Sequence, residues 1–340
     1  MMNPNALQLA NKGIPILMYH GFCDQKSFSG IENYHGKHLY VEKFEEQIRY
    51  LKQHYKIITL ARLLDHYRNA TALPVNSVLL TIDDGYASNF HLAFPILKKY
   101  QAPASIFITT DFVEKRNFLW VDRLEYALNR TQRTNVQLTV TGKEWTYDLS
   151  SPSLKKAADR GIKRELKRLA SSLRDPIIDR IEESLEAKII HDHPVPAMYE
   201  PLTPEQIKIM VDSNLVSVGS HTTSHVIMSV CSPEEMRDEL VRSKHAIEQM
   251  SQRPCNIFSY PNGEAGDFNR QSRDILREIG FKCALTTVVG VNPWNQDSYE
   301  LKRLNIHNDG DLTGFVRTLS SFARFLRKLK YENIRRNQSR

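Results

Sequence analysis

The chain has 340 residues, 41% of them hydrophobic and 25% charged, which is typical of a folded globular protein and excludes extensive disorder. The formal net charge of +7 favours acidic partners, namely anionic glycans, membrane surfaces or nucleic acids. No zinc-finger or RNP-type signature accompanies it, so we expect no nucleic-acid partner.

The N-terminal residues show no basic segment followed by an apolar run, the pattern of a secretory signal. No stretch approaches the roughly 18 to 20 apolar residues that a membrane-spanning helix needs. We therefore expect a cytoplasmic protein. The four cysteines are widely scattered, which predicts reduced thiols rather than disulfides or structural zinc.

Short apolar runs alternate with amphipathic helical segments along most of the chain. Phe44, Ile48 and Leu51 have helical spacing within residues 42–55, and a helix start is predicted at Ser232. Strands separated by helices predict a parallel sheet whose catalytic groups gather at the carboxyl ends of the strands. The predicted strands are 13–18, 78–82, 104–109, 216–219, 256–259 and 284–288.

Two regions differ from this alternation. Residues 115–200 are predicted to form an insertion. It contains a polar stretch over 131–148 and charged, helical sequence over 154–188. The insertion could shape a substrate cleft or form a solvated helical lobe. The C-terminal residues 313–340 are basic and amphipathic, which favours a helix packed on the barrel; the alternative is peripheral contact with a membrane. The apolar face of that helix would contain Phe315, Leu319, Phe322, Leu326 and Leu329.

Two adjacent carboxylates, Asp83 and Asp84, directly follow the predicted strand 78–82. They would repel each other unless a cation or a proton intervened. Gly85 permits a sharp turn there, so one carboxylate could bind a metal while the other acts as a base. The alternative is an ordinary Asp-Asp-Gly turn.

A histidine pair, His221 and His225, follows another predicted strand. If helical, the two imidazoles would share one face, with Cβ atoms about 5–6 Å apart. Two imidazoles and one carboxylate form an open catalytic zinc site, and the same set resembles the non-haem iron triad. We predict a divalent cation, with Zn²⁺ preferred and Co²⁺, Ni²⁺ or Fe²⁺ as alternatives.

Three motifs together resemble those of the polysaccharide deacetylase (NodB homology, carbohydrate esterase family 4-like) family. They are TIDDGY (81–86), SHTTSH (220–225) and FSYPNG (258–263), and the segments ILMYH (16–20) and YELKRL (299–304) resemble one branch of it. The resemblance implies a distorted (β/α)7 barrel over residues 13–312, preceded by an N-terminal extension, residues 1–12. It also implies a metal-dependent hydrolase that removes N-acetyl (N-acyl) groups from an amino sugar in a poly- or oligosaccharide or its biosynthetic intermediate.

The resemblance also implies residue roles. Asp84, His221 and His225 would bind the metal, and Asp83 would be the general base for a metal-bound water that attacks the amide carbonyl. The oxyanion would be held by the metal and by a backbone N–H near Tyr260. The substrate and oxyanion contacts would therefore come from Tyr260, Pro261 and Asn262.

The chain departs from the family pattern at two points. Ser259 stands where the family often has an arginine that orients the base, and Arg303 is the candidate replacement; the alternative is a structural ion pair. For the general acid we prefer His20, because the Tyr-His opening is characteristic of the branch, over His307. His35 and His38 are expected to be solvated loop histidines; the alternative is contact with the substrate.

Two other functions compete with the hydrolase. One is a non-catalytic glycan-binding module on the same fold, and the other is an iron oxygenase that uses two histidines and one carboxylate. Retention of Asp83 favours the enzyme over the binding module, because a binding protein has no need of the base.

Overall fold

Seven parallel strands close into a ring at the centre of the molecule. The computed structural model describes residues 13–140, 142–189, 195–308 and 310–320. Each strand pairs in parallel with its neighbour, and the last strand pairs back with the first, so the predicted (β/α)7 barrel is confirmed. In ring order the strands are β1 (Ile16–Tyr19), β2 (Ser77–Ile82), β3 (Ala104–Ile108), β4 (Val216–Ser220), β5 (Ile257–Ser259), β6 (Cys283–Val289) and β7 (Leu301–Asn305).

Helices cover the outside of this ring and bury its apolar residues. The strand β2 is buried along its whole length, as expected for a parallel strand covered on both faces. Two short segments, Gly21–Cys23 and His38–Tyr40, pair beside the barrel, and Lys56–Ile57 pairs with the start of β2. The helices before the insertion are α1 (Val41–His54), α2 (Leu60–Asn69), α3 (Phe94–Tyr100) and α4 (Thr110–Glu114), with a π-helix at Asn89–Ala93.

The polypeptide between β3 and β4 contains a lobe with its own hydrophobic core. The lobe contains α5 (Trp120–Arg130), a hairpin (Asn135–Val140 with Lys143–Asp148), α6 (Pro152–Leu166) and α7 (Ser171–Ser184). The expected polar stretch is thus a hairpin, because Val136 and Leu138 alternate onto its buried face. The charged helical segment predicted over 154–188 consists of two helices, α6 and α7.

The chain returns to the barrel through α8 (Pro204–Asp212), α9 (Pro233–Ser251) and α10 (Arg270–Ile279). Short 3₁₀ turns occur at Ala197–Tyr199 and Met228–Val230. The predicted helix start is confirmed, because the Ser232 hydroxyl accepts a hydrogen bond from the Glu235 backbone and forms a capping box at α9.

The described part of the C-terminal segment packs on the barrel. The helix α11 (Leu312–Leu319) buries Phe315 and Leu319 against the main core. The other predicted apolar positions, Phe322, Leu326 and Leu329, and the N-terminal extension lie outside the described residues. Among the described helices, none combines the length and apolarity that crossing a bilayer requires.

Candidate active site

The carboxyl ends of the barrel strands bring the predicted polar residues to one place. Asp83 and Asp84 follow β2, and His221 follows β4 directly, with both carboxylates and the imidazole buried. Ser259 ends β5, and Arg303 extends from the middle of β7. Because all seven strands are parallel, their carboxyl ends share one face of the barrel, which explains why distant motifs meet there.

Asp83 forms a buried ion pair with Arg303. The two guanidinium Nη atoms donate to the two carboxylate oxygens at 2.8 and 2.7 Å. Both side chains are almost fully buried, at 1% and 0% exposure. Burial alone would raise the pKa of Asp83, but the guanidinium of Arg303 outweighs it and holds that pKa below its usual value. Asp83 is therefore ionised at neutral pH.

Arg303 is itself held by further groups of the barrel. Its Nε donates to the carbonyl of Thr286 at 2.8 Å, and its Nη2 donates to the hydroxyl of Ser259 at 2.9 Å. The Ser259 hydroxyl in turn donates to Asp83 at 3.2 Å. At the position where the family often carries arginine, this chain thus has a small side chain that leaves room for a guanidinium arriving from β7.

Asp84, His221 and His225 form a buried donor set, and their ligand atoms all lie within 4.8 Å of one another. The two Nε2 atoms lie 3.4 and 3.5 Å from one oxygen of Asp84. The Nδ1–H of His221 donates to the Ser259 carbonyl at 2.8 Å, which leaves the Nε2 lone pair facing Asp84. Two imidazoles and a carboxylate are a donor set that fits a divalent cation.

The two histidines do not lie on a helix. Residues 221–227 form an irregular loop in which Thr222 and His225 have positive φ angles of 65° and 56°. The helical arrangement considered for the pair is therefore not the one that the chain adopts. The rings still meet at a centroid distance of 4.9 Å because the loop folds back on itself.

A glutamate on α9 holds that loop in shape. The carboxylate of Glu239 accepts the backbone N–H groups of Thr223 and Ser224 at 2.8 and 3.0 Å, and also the Ser224 hydroxyl at 2.8 Å. Charge-assisted hydrogen bonds of this kind are strong and directional. Glu239 therefore fixes the backbone between the two histidines.

Lys37 reaches the same centre and was not found by sequence reasoning. Its ammonium lies 3.1 Å from the second oxygen of Asp84 and 3.2 Å from Asp122. It also lies over the Tyr86 ring, 4.8 Å from the centroid. Burial would lower the pKa of Lys37, but the charges of Asp122 and Asp84 outweigh it and raise the pKa. A lysine in a loop of the sequence gives no signal of this contact.

The candidate acids differ in their surroundings. His20, at the end of β1, is half-buried. Burial lowers its pKa to about 4 and outweighs the negative charges of Asp84 and Asp83, which would raise it. His307 is exposed, two residues beyond the end of β7.

His38 is almost fully buried, at 2% exposure, so its expected place in a solvated loop is wrong. It packs against Gly21, where any Cβ would clash with the imidazole.

The three predicted substrate and oxyanion residues of the third motif, Tyr260, Pro261 and Asn262, follow β5 directly. The backbone N–H of Tyr260 donates to the Leu285 carbonyl at 3.0 Å, so it is engaged in the barrel and is not available to an oxyanion. The Tyr260 ring is buried and stacks on Phe268. Pro261 has no N–H. Asn262 has a buried side-chain nitrogen without a hydrogen-bond partner among the described residues, so it is the member of the motif with a donor to offer.

Comparison with known proteins agrees with this arrangement. A family model described as polysaccharide deacetylase matches residues 70–284, more than half of the chain. The Bacillus subtilis (strain 168) protein YxkH, a polysaccharide deacetylase candidate, is 23% identical over 296 residues, which cover 86% of this chain and 71% of YxkH. A poly-beta-1,6-N-acetyl-D-glucosamine N-deacetylase from Staphylococcus aureus (strain MSSA476) is 40% identical, but over 83 residues that cover 24% of this chain and 28% of that protein.

Solved structures show the same fold at low sequence identity. The Streptococcus pyogenes deacetylase PplD in complex with acetate superposes with a TM-score of 0.60 at 18% identity, covering 91% of this chain and 98% of that one. IcaB from Ammonifex degensii gives 0.56 at 20% identity, covering 88% and 93%. The chain belongs to the polysaccharide deacetylase family, hydrolases that act on the amide bonds of N-acetyl groups.

Proposed function

We propose that this protein removes N-acetyl groups from an amino sugar within a poly- or oligosaccharide or its biosynthetic intermediate, and that it uses a divalent cation, preferably Zn²⁺. One observation carries the proposal: an ionised Asp83, oriented by Arg303, adjoins the buried donor set Asp84, His221 and His225. The name of the S. aureus relative says that it removes N-acetyl groups from a polymer of N-acetylglucosamine, which supports the proposed substrate class.

When bound, the cation held by Asp84, His221 and His225 supplies a Lewis acid for the amide carbonyl. Asp83 accepts a proton from the water that attacks the amide carbonyl, and the C–N bond to the amine then breaks. The bidentate contact with Arg303 keeps the Asp83 carboxylate in one orientation during the reaction. Asn262 can donate its side-chain N–H to the negative charge that develops on the carbonyl oxygen.

The leaving amine needs a proton, and we propose that His20 supplies it. His20 lies at the end of β1, close enough to both carboxylates for their charges to oppose the lowering of its pKa by burial. Because burial lowers its pKa to about 4, the imidazole is neutral at pH 7. The proton that it passes to the leaving amine is therefore the one that Asp83 accepts from the attacking water. The exposed His307 is the second candidate.

Acetate release from N-acetylglucosamine oligomers, with zinc-supplemented full-length protein, tests the function. We expect Asp83→Asn to retain the metal content and lose turnover, because Asp83 lies outside the donor set, and His221→Ala to lose metal. Asp24→Asn, at an exposed position, is the matched control. Equal metal loss in the Asp83 and His221 variants would refute the division of roles.

Glycan binding and oxygen consumption, measured on the same protein, separate the competing functions. A glycan-binding module would bind the oligomers and release no acetate with any metal. An iron oxygenase would consume oxygen in the presence of a co-substrate and would gain nothing from zinc. The cytoplasmic location and the peripheral membrane contact of the C-terminal tail stay predictions, and flotation of the full-length and Phe315-truncated proteins on anionic liposomes tests the latter.

A further inference from the structure

An open groove lies between the insertion lobe and the barrel. It encloses about 540 Å³ and is bounded on one side by α6 and the turn that follows it. The opposite side consists of the loop after His225 and the loop after the third motif, where Ile227 and Gly266 line it. We call this space the basic groove, because five cationic side chains line it: Arg160, Lys163, Arg164, Lys167 and Arg168.

Acidic groups only partly neutralise these cations. Lys163 contacts Asp159, which is buried beneath the groove, at 2.9 Å. Glu165 contacts both Arg164 and Arg168, at 3.2 and 3.3 Å. On the facing wall, Asp267 is the acidic residue that lines the groove. Among the residues that line the groove, five are cationic and one, Asp267, is acidic. Arg160 is also exposed, so the lining presents positive charge to a ligand.

The spacing of the cations suits a ligand with more than one charge. Arg160 and Arg164 are four residues apart on α6, as are Lys163 and Lys167 across its C-terminal end. Four residues of an α-helix rise about 6 Å along its axis, so the positive charges are spread along the groove and not concentrated at one place. A row of guanidinium and ammonium groups favours phosphate or carboxylate groups repeated along an extended molecule.

The basic groove adjoins the candidate active site from both walls. Ile227 lines the groove and stands two residues after His225. On the other side His35 lines it, and Lys37, two residues later, contacts Asp84 at 3.1 Å. A sugar chain that lies in the groove therefore passes along the loop that carries His225 and the segment that carries Lys37.

We propose that the basic groove binds an anionic portion of the substrate glycan, phosphate or carboxylate groups placed near the acetamide that is hydrolysed. The inference rests on the proposed function, whose substrate class it narrows from N-acetylated to anionic N-acetylated glycans. A glycan fits better than a nucleic acid, because His35 is the only aromatic ring among the described residues that line the groove, and bases bind by stacking on such rings.

The test compares binding of charged and neutral acetamido sugars to the full-length, zinc-supplemented protein by calorimetry. The probes are a hyaluronan tetrasaccharide, its carboxyl methyl ester, and N-acetylglucosamine 1-phosphate, so in-chain carboxylate and terminal phosphate are measured separately. The groove variant is Arg160→Gln/Arg164→Gln/Lys167→Gln, which leaves the Lys163–Asp159 contact intact. A matched control, Lys52→Gln/Arg62→Gln/Arg68→Gln, removes three exposed cations from α1 and α2.

We expect the wild type to prefer at least one charged probe over the methyl ester, and the groove variant to bind it at least about tenfold more weakly. Raising the salt from about 0.05 to about 0.5 M should remove most of the preference, because screening shortens the range of surface charges. The control triple should bind like the wild type. A wild type without preference for charged probes, or an equal loss in both triples, overturns the proposal.

Acetate release is measured in parallel, so that the two proposals fail separately. The wild type could prefer the charged probes through the groove and yet release no acetate from any probe. That result supports the groove proposal and refutes the hydrolase proposal. The groove variant could instead release acetate from the neutral oligomer at an unchanged rate and bind every charged probe as strongly as the wild type does. That result refutes the groove proposal and leaves the hydrolase proposal in place. Thermal unfolding of both triples checks that they are folded. We expect it to be near that of the wild type, since Lys167 is partly exposed and the other five substituted side chains are exposed.

Discussion

The substitution Arg303→Met should strongly destabilise the protein. It removes the bidentate contact with Asp83 and the donation to the Thr286 carbonyl, and it leaves the Asp83 carboxylate with the 3.2 Å hydrogen bond from Ser259. Breaking a buried ion pair by removing one partner costs about 3–5 kcal/mol, because the remaining charge is desolvated without compensation. The methionine fills much of the volume, so a cavity contributes little.

The size of this loss should depend on pH in a defined direction. In the wild type the pKa of Asp83 is lowered, so its contribution to stability is present above the unfolded-state pKa and is lost as the pH falls through the folded-state pKa. In the variant, burial without Arg303 raises the pKa of Asp83. Protonation then relieves the buried charge, so the difference in unfolding free energy between wild type and variant should shrink as the pH falls from about 7 to about 5.

Urea unfolding of both proteins at these two pH values measures the effect. Arg242→Met is the control, because it breaks an exposed pair with Asp238 at 3.1 Å, a contact worth about 0–1 kcal/mol. The double variant Asp83→Asn/Arg303→Met should recover part of the stability, since no buried charge remains unpaired. A loss at neutral pH no larger than that of the control would refute the interpretation of Asp83 and Arg303 as a tightly coupled pair.

Three further predictions concern the acid and the donor set. His20→Ala should lower acetate release far more than His307→Ala, and an unaffected His20 variant would remove the preferred acid. Lys37→Met should raise zinc affinity measured by calorimetry by about tenfold, because a competing cation leaves, whereas Lys37→Arg should not; weaker binding by the methionine variant would contradict this. Glu239→Gln should weaken zinc binding by roughly 10- to 100-fold through the loosened histidine loop, and Glu234→Gln, exposed on the same helix, should not.

Local patterns in the sequence were sufficient for the barrel and for the principal members of the site. The apolar runs of strand length predicted six of the seven barrel strands, since a parallel strand buried on both faces needs continuous apolar residues. Asp83, Asp84, His221 and His225 could be selected because chemically demanding residue types directly follow such strands, and parallel strands end on one face.

Contacts between distant segments could not be found in this way. The sequence predicted a solvated loop position for His38 and indicated no role for Lys37. Only the folded chain brings Lys37 to Asp84 and buries His38 beside Gly21. From the sequence, Arg303 was a candidate for orienting the base, with a structural ion pair as the alternative. The folded chain brings Arg303 to Asp83 because β7 closes the ring next to β1. Short-range periodicity reports which face of an element is buried, but the partner of a charge is decided by the packing of segments that are remote in sequence.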